Sequence, residues 1–209
     1  MLFYCLKHLN SIIKKAFVII KLFGKNKIII RNINSDDIND IQHVCISFND
    51  DLSHVGILYN INKSMPTSHL HLAWNHVLRT DCPSRPVNWV DCKLSKFNKL
   101  QISIICDVIS RNPKNNNIPY NIGYQEYEKY FDGNGSFTGK NYGPGLTCAT
   151  FVLAVFRNYG FPLVNAETWV ERDSDKKFQL EILDALKKGI NVDPRHINAV
   201  ERNIGCIRY

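Results

Sequence analysis

The chain has 209 residues, of which 44% are hydrophobic and 22% charged, with a formal net charge of +7. That much apolar content excludes a disordered protein, and the length suits one domain, or one domain with an appendage. The basic balance permits an acidic partner such as an anionic membrane surface, or merely reflects many lysines in water; no RNA or DNA motif accompanies it, so no nucleic acid is expected. Seven cysteines, an odd number with no Cys-x-x-Cys pair, argue against a zinc ribbon. They fit reduced thiols in a cytosol-like compartment, with a Cys82–Cys92 bridge left open.

Residues 2–24 are apolar but interrupted by Lys7, Lys14, Lys15 and Lys21. On a helix, these lysines with His8, Ser11 and Lys25 form a basic stripe opposite Leu2, Leu6, Leu9, Ile13, Phe17, Ile20 and Phe23. The apolar runs between lysines are too short to span a bilayer, and no uninterrupted signal-peptide core is present. Two readings stand: a helix lying on an anionic membrane, or one packed on the domain with its lysines in water. Residues 1–34 are therefore taken as an amphipathic N-terminal segment and 35–209 as a single domain.

Lys27 to Arg31 reads as a short strand, Ser35 as the cap of a short helix, and Val44 to Phe48 as a strand. From His54 to Tyr59, Val55, Ile57 and Tyr59 alternate with His54, Gly56 and Leu58, which predicts a strand with the histidine at its start. Gly56 shares a face with His54 and leaves room for a side chain or substrate. After a loop through residues 60–68, His69 to Trp74 alternates too, with His69, His71 and Ala73 on one face. Pairing of the two strands lets a histidine of the second orient His54. The alternative is that each histidine is a satisfied half-buried strand residue. Ser95 to Ser110 has helical spacing, although its Ile-rich centre leaves a strand open. An Asn/Pro turn region and an aromatic patch from Tyr120 to Phe131 follow, then a glycine-rich loop over residues 133–145. Tyr120, Tyr124, Gly145 and Thr147 could line a substrate cleft, or belong to a packed loop.

Gly143-Pro144-Gly145 cannot continue a helix backwards, so the apolar run from Cys148 to Tyr159 begins there, with Thr147 as its cap and Gly160 and Pro162 at its end. Cys148 then lies in the first turn, where free N–H groups and the helix dipole favour a thiolate and could hold an oxyanion. The alternative is a small buried hydrophobe. Two helices, Ser174–Lys188 and Asp193–Asn203, complete the chain, and Arg172 to Lys177 reads as a solvated turn.

Thr147-Cys148-Ala149-Thr150-Phe151-Val152 resembles the Cys-x-x-Phe-Val helix start of NlpC/P60-type papain-like cysteine enzymes, and Ser53-His54-Val55-Gly56-Ile57-Leu58 resembles their His-x-Gly-Ile strand. The histidine precedes the cysteine by 94 residues, the order of the circularly permuted branch that includes lecithin:retinol acyltransferase-like proteins and related bacterial hydrolases. The resemblance spans roughly residues 45–160. It departs at Thr147, where the peptidases carry aspartate, at Ala149, where they carry serine, and in the long 60–68 loop. It implies an α+β papain-like fold, with the cysteine helix packed on an antiparallel sheet that carries the histidine. It implies a thiol hydrolase or acyltransferase with Cys148 as nucleophile, His54 as base and His71 as orienting residue, His69 being the alternative. No cofactor is needed, and the substrate would be a peptide, isopeptide or lipid ester.

Two other classes compete. His69 and His71, with His54 or His76, could bind zinc in a metal-dependent hydrolase, although no HExxH occurs. The same fold could also serve as a non-catalytic membrane- or protein-binding module. A cytoplasmic protein, peripheral to a membrane if the N-terminal helix lies on one, is the expected setting.

Overall fold

The computed structural model describes residues 30–32, 43–49, 54–62, 64–83, 87–125, 128–140 and 142–208. The amphipathic segment 2–24, the first residues of the Lys27–Arg31 strand and the Ser35 helix lie outside the described residues.

Six strands form one antiparallel sheet: β1 (Ile30–Asn32), β2 (Val44–Phe48), β3 (Val55–Tyr59), β4 (Ser68–Trp74), β5 (Val77–Asp81) and β6 (Asn88–Asp91), in the order β1-β6-β2-β3-β4-β5. Among the described residues four α-helices follow: α1 (Lys96–Arg111), α2 (Cys148–Asn158), α3 (Asp173–Lys188) and α4 (Pro194–Glu201). The architecture is thus α+β. β5 and β6 were not among the predicted elements. Val77-Leu78-Arg79-Thr80-Asp81 is half polar because β5 is an edge strand, exposed along its second half.

The central strands show why the alternation was readable. Val44, Ile46 and Phe48 of β2, Val55, Ile57 and Tyr59 of β3, and Leu70 and Leu72 of β4 point to one face. There they meet Ile102, Cys106 and Ile109 of α1 and Phe151, Val152, Val155 and Phe156 of α2. Burial of each large side chain contributes about 1.5–3 kcal/mol. Cys45, Leu58 and Trp89 cluster on the reverse face.

α1 is a helix, not the strand its isoleucines left open. Ser95 caps it by accepting the Asn98 N–H, and its inner face also buries Ser103, which donates to the Asn60 carbonyl, and Lys99, paired with Asp91 at 2.6 Å. The residues read as a solvated turn after Arg172 instead open α3. Asp175 is buried in its first turn, accepting from the Arg172 side chain at 3.0 Å and from its backbone N–H. α3 and α4 pack together through Leu183, Leu186 and Val200, with Ile122 of the aromatic loop between them. Cys82 and Cys92 are both free thiols, the first exposed and the second buried, so the bridge left open between them is not formed.

Candidate active site

Three histidines converge on the sheet face that α2 does not cover. Ile57 pairs with Leu70 and Leu58 with His69, so continuing the register sets His54 opposite Ala73, one step diagonally from His71. His54 Nε2 and His71 Nδ1 lie 2.7 Å apart. His71 Nε2 lies 3.4 Å from the Asp81 carboxylate on β5. A carboxylate only accepts, so His71 carries its proton on Nε2 and its Nδ1 lone pair accepts from His54 Nε2–H. His54 Nδ1 is then the basic lone pair, and no other hydrogen bond to the ring occurs among the described residues.

His69 turns the other way. Its Nε2 lies 2.8 Å from Ser47 Oγ on β2, and its ring stacks on His71 with centroids 4.5 Å apart. The space that Gly56 leaves is filled by this ring: a Cβ at position 56 would collide with His69 Nε2. Burial, reinforced by the neighbouring His71, lowers both His54 and His69 to about 4, and burial also lowers His71, with Asp81 opposing. All three are neutral imidazoles at neutral pH. Among the described residues no three His, Cys, Asp or Glu side chains converge as a metal-ion ligand set.

Cys148 stands at the head of α2. Thr147 caps the helix reciprocally with Thr150: its hydroxyl accepts the Thr150 N–H, while the Thr150 hydroxyl accepts the Thr147 N–H at 2.7 Å. The buried Thr147 side chain is thus occupied by the cap. Gly145 is required by the backbone, since a Cβ there would strike the Pro119 carbonyl where Leu146 and Tyr120 form a parallel bridge. That bridge brings the Tyr120 hydroxyl to 3.8 Å from the Cys148 sulfur. Burial, then the adjacent Cys148, pushes the Tyr120 phenol far up, so it stays protonated and donates. Tyr124 stacks on the buried Tyr130 at 5.5 Å, inside the aromatic packing.

Cys148 and the histidines share one end of the sheet but not one face. Tyr120 stacks on Trp74, the last residue of β4, at 4.7 Å, and His54 immediately precedes the paired β3 at the same end. Val55, on the α2 side, alternates with His54 and Gly56 on the other. The imidazole of His54 bonds to His71, and no hydrogen bond joins it to the Cys148 sulfur. His54 and His71 are therefore brought together, and among the described residues the hydrogen-bonded neighbour of the Cys148 sulfur is Tyr120.

Three residues with a place at this site had no sequence signal. His196 on α4 is 1% exposed; its Nδ1 accepts the Gly143 N–H at 3.3 Å and its Nε2–H donates to the Tyr120 carbonyl at 3.1 Å, tying the glycine loop to the tyrosine. Asn75 accepts the Tyr120 N–H at 2.9 Å. The Arg208 guanidinium, stacked over Phe178 at 3.5 Å, is within electrostatic reach of Cys148 and Tyr120. Each is distant in sequence from the residue it serves.

No protein-family model matches the chain, and neither does any curated protein or solved structure. Among the described residues, no helix is long and apolar enough to cross a membrane.

Proposed function

We propose that the protein is a papain-like thiol hydrolase or acyltransferase acting on an amide or ester carbonyl. The observation that carries this reading is the chain Asp81–His71–His54, which orients a neutral imidazole and leaves Nδ1 as its basic lone pair at the sheet end where Cys148 heads its helix. The reading requires the Cys148 sulfur to meet His54 Nδ1 at this end of the sheet when substrate binds. His54 then takes the thiol proton as a general base. The sulfur electron pair attacks the carbonyl carbon, and the oxyanion is held by first-turn N–H groups of α2 and the Tyr120 hydroxyl. Collapse of the adduct breaks the bond to the leaving group, which receives the proton from His54. Water or another nucleophile then cleaves the acyl-sulfur bond. Peptides, isopeptides and lipid esters are the substrate classes.

That no hydrogen bond joins His54 to the Cys148 sulfur among the described residues favours a second reading, a non-catalytic binding module built on the same fold. An acyl-type activity probe decides between them. The enzyme reading expects labelling of Cys148 that both Cys148→Ala and His54→Ala abolish while circular dichroism stays native. Unchanged labelling of a folded His54→Ala protein rejects it.

A further inference from the structure

A cavity of about 610 Å³ lies between the 130–138 turn, the glycine loop and α4. Its shape follows from local bonding. Phe131 and Phe137 form an antiparallel bridge, Thr138 N–H donates to the Tyr130 carbonyl, and Asp132 Oδ1 accepts the N–H groups of Asn134 and Ser136. This tight turn sets Lys129 and Lys140 on its two sides, both facing the cavity. α4 contributes Arg195, and its C-cap residue Arg202, seven residues on, falls on the same side.

The cations are not equivalent. Arg195 forks onto Asp193 at 2.6 Å and its guanidinium lies over the Tyr142 ring at 4.2 Å, so its charge is matched and its position held. Lys129, Lys140 and Arg202 have no ion-pair partner among the described residues, and one carboxylate, Glu128, shares the lining with them. Three cations without an ion-pair partner among the described residues, from two elements around a cavity of ligand size, suit a group carrying close to two negative charges. A phosphate monoester carries about −1.5 to −2 at neutral pH and presents three acceptor oxygens. A lysine ammonium and an arginine fork both recognise such a group. The Tyr130 and Tyr142 rings and Pro144 add apolar walls for the body of the ester. The cavity also touches the site: Gly143 lines it and is bonded to His196, which holds Tyr120 beside Cys148.

We infer that this cleft binds the phosphate group of a phosphate monoester, with Lys129, Lys140 and Arg202 holding the phosphate and Tyr142 against the organic part. The inference does not depend on the thiol chemistry, since binding is measured without turnover.

The test is titration calorimetry on the full chain at fixed ionic strength, with phenyl phosphate, inorganic phosphate and phenol as probes. One saturable site is expected for phenyl phosphate, with weaker binding of inorganic phosphate and none of phenol. The combined variant K129Q/K140Q/R202Q is expected to bind at least tenfold more weakly, and K114Q, a lysine on the 3-10 turn Pro113–Asn117, is expected to bind as the parent does. If the triple variant does not fold, K140Q alone is expected to weaken binding severalfold. Vesicles of phosphatidylcholine with phosphatidic acid form the second arm. Sedimentation with them that the triple variant loses assigns the monoester to a lipid headgroup, and calorimetric binding without sedimentation assigns it to a soluble ester. Absence of saturable binding in both arms, equal weakening by K114Q, or phenol binding as tightly as phenyl phosphate overturns the inference.

Discussion

The imidazole of His69 occupies the volume that any side chain at Gly56 would need. Strand β3 therefore carries a glycine opposite Ser47 not for turn-making but so that a ring from β4 can lie across it and reach the Ser47 hydroxyl. Gly56→Ala is expected to push His69 off Ser47, costing about 1–3 kcal/mol as an overpacked site does. It should also displace His71, which stacks on His69. Urea unfolding measures the first effect and the rate of Cys148 probe labelling the second. An alanine variant as stable as the parent would show that the ring has another place to go.

His71 and Asp81 orient His54 to different degrees. His71 is 2.7 Å from His54, whereas Asp81 is half exposed and reaches only His71, at 3.4 Å. His71→Phe should cut probe labelling by about 10²-fold, comparable with the general-base contribution it supports. Asp81→Asn should cost less than about tenfold, because solvent screens an exposed pair. Equal losses would mean that the carboxylate matters more than its distance allows.

The half-buried imidazoles make stability depend on pH. Burial holds His54 and His69 near 4 in the folded chain, against about 6.5 when unfolded. Above about 6.5 both states are neutral and these groups contribute no slope. Between about 6.5 and 4 the unfolded chain binds more protons, so stability falls as pH falls through that window. Urea midpoints at pH 7.5, 6 and 5 check this. His69→Gln, whose amide can still meet Ser47, should flatten the dependence.

His196 holds two backbone groups that the site needs. His196→Ala leaves the half-buried Gly143 N–H and the buried Tyr120 carbonyl without that partner, at about 1–3 kcal/mol for the buried carbonyl left unsatisfied. The structural cost appears in thermal unfolding. A positioning role appears separately, as slower alkylation of Cys148 relative to the other thiols in protein that is still folded, and restoration of that rate by His196→Gln would support it.

Removal of the Thr147 hydroxyl isolates the helix cap. Thr147→Ala breaks the reciprocal pair with Thr150 and is expected to cost about 1 kcal/mol. A valine at 147, similar in volume, should cost as much, since the loss is of the acceptor for the Thr150 N–H.

What could be read along the chain was periodic or local. Val55, Ile57 and Tyr59 repeat every second residue, so β3 and the shared side of His54 and Gly56 were legible. Thr147 before an apolar helix, after Gly143-Pro144-Gly145, marked where α2 starts, because capping depends on neighbours three residues apart. The histidine spacing in His69-Leu70-His71 placed both on one side of β4, but not which would reach His54. Strand register decided that, setting His71 diagonally beside His54 and turning His69 toward Ser47. Edge strand β5, with Asp81, escaped because an exposed strand loses the apolar alternation that reveals a buried one. His196 and Arg208 escaped because their roles depend on how α4 and the chain end fold back over Tyr120 and Cys148. The side of the sheet on which the sulfur sits was equally hidden: residue alternation assigns a side to each strand residue, while only packing of α2 against Ile57 and Leu70 determines which side receives the helix.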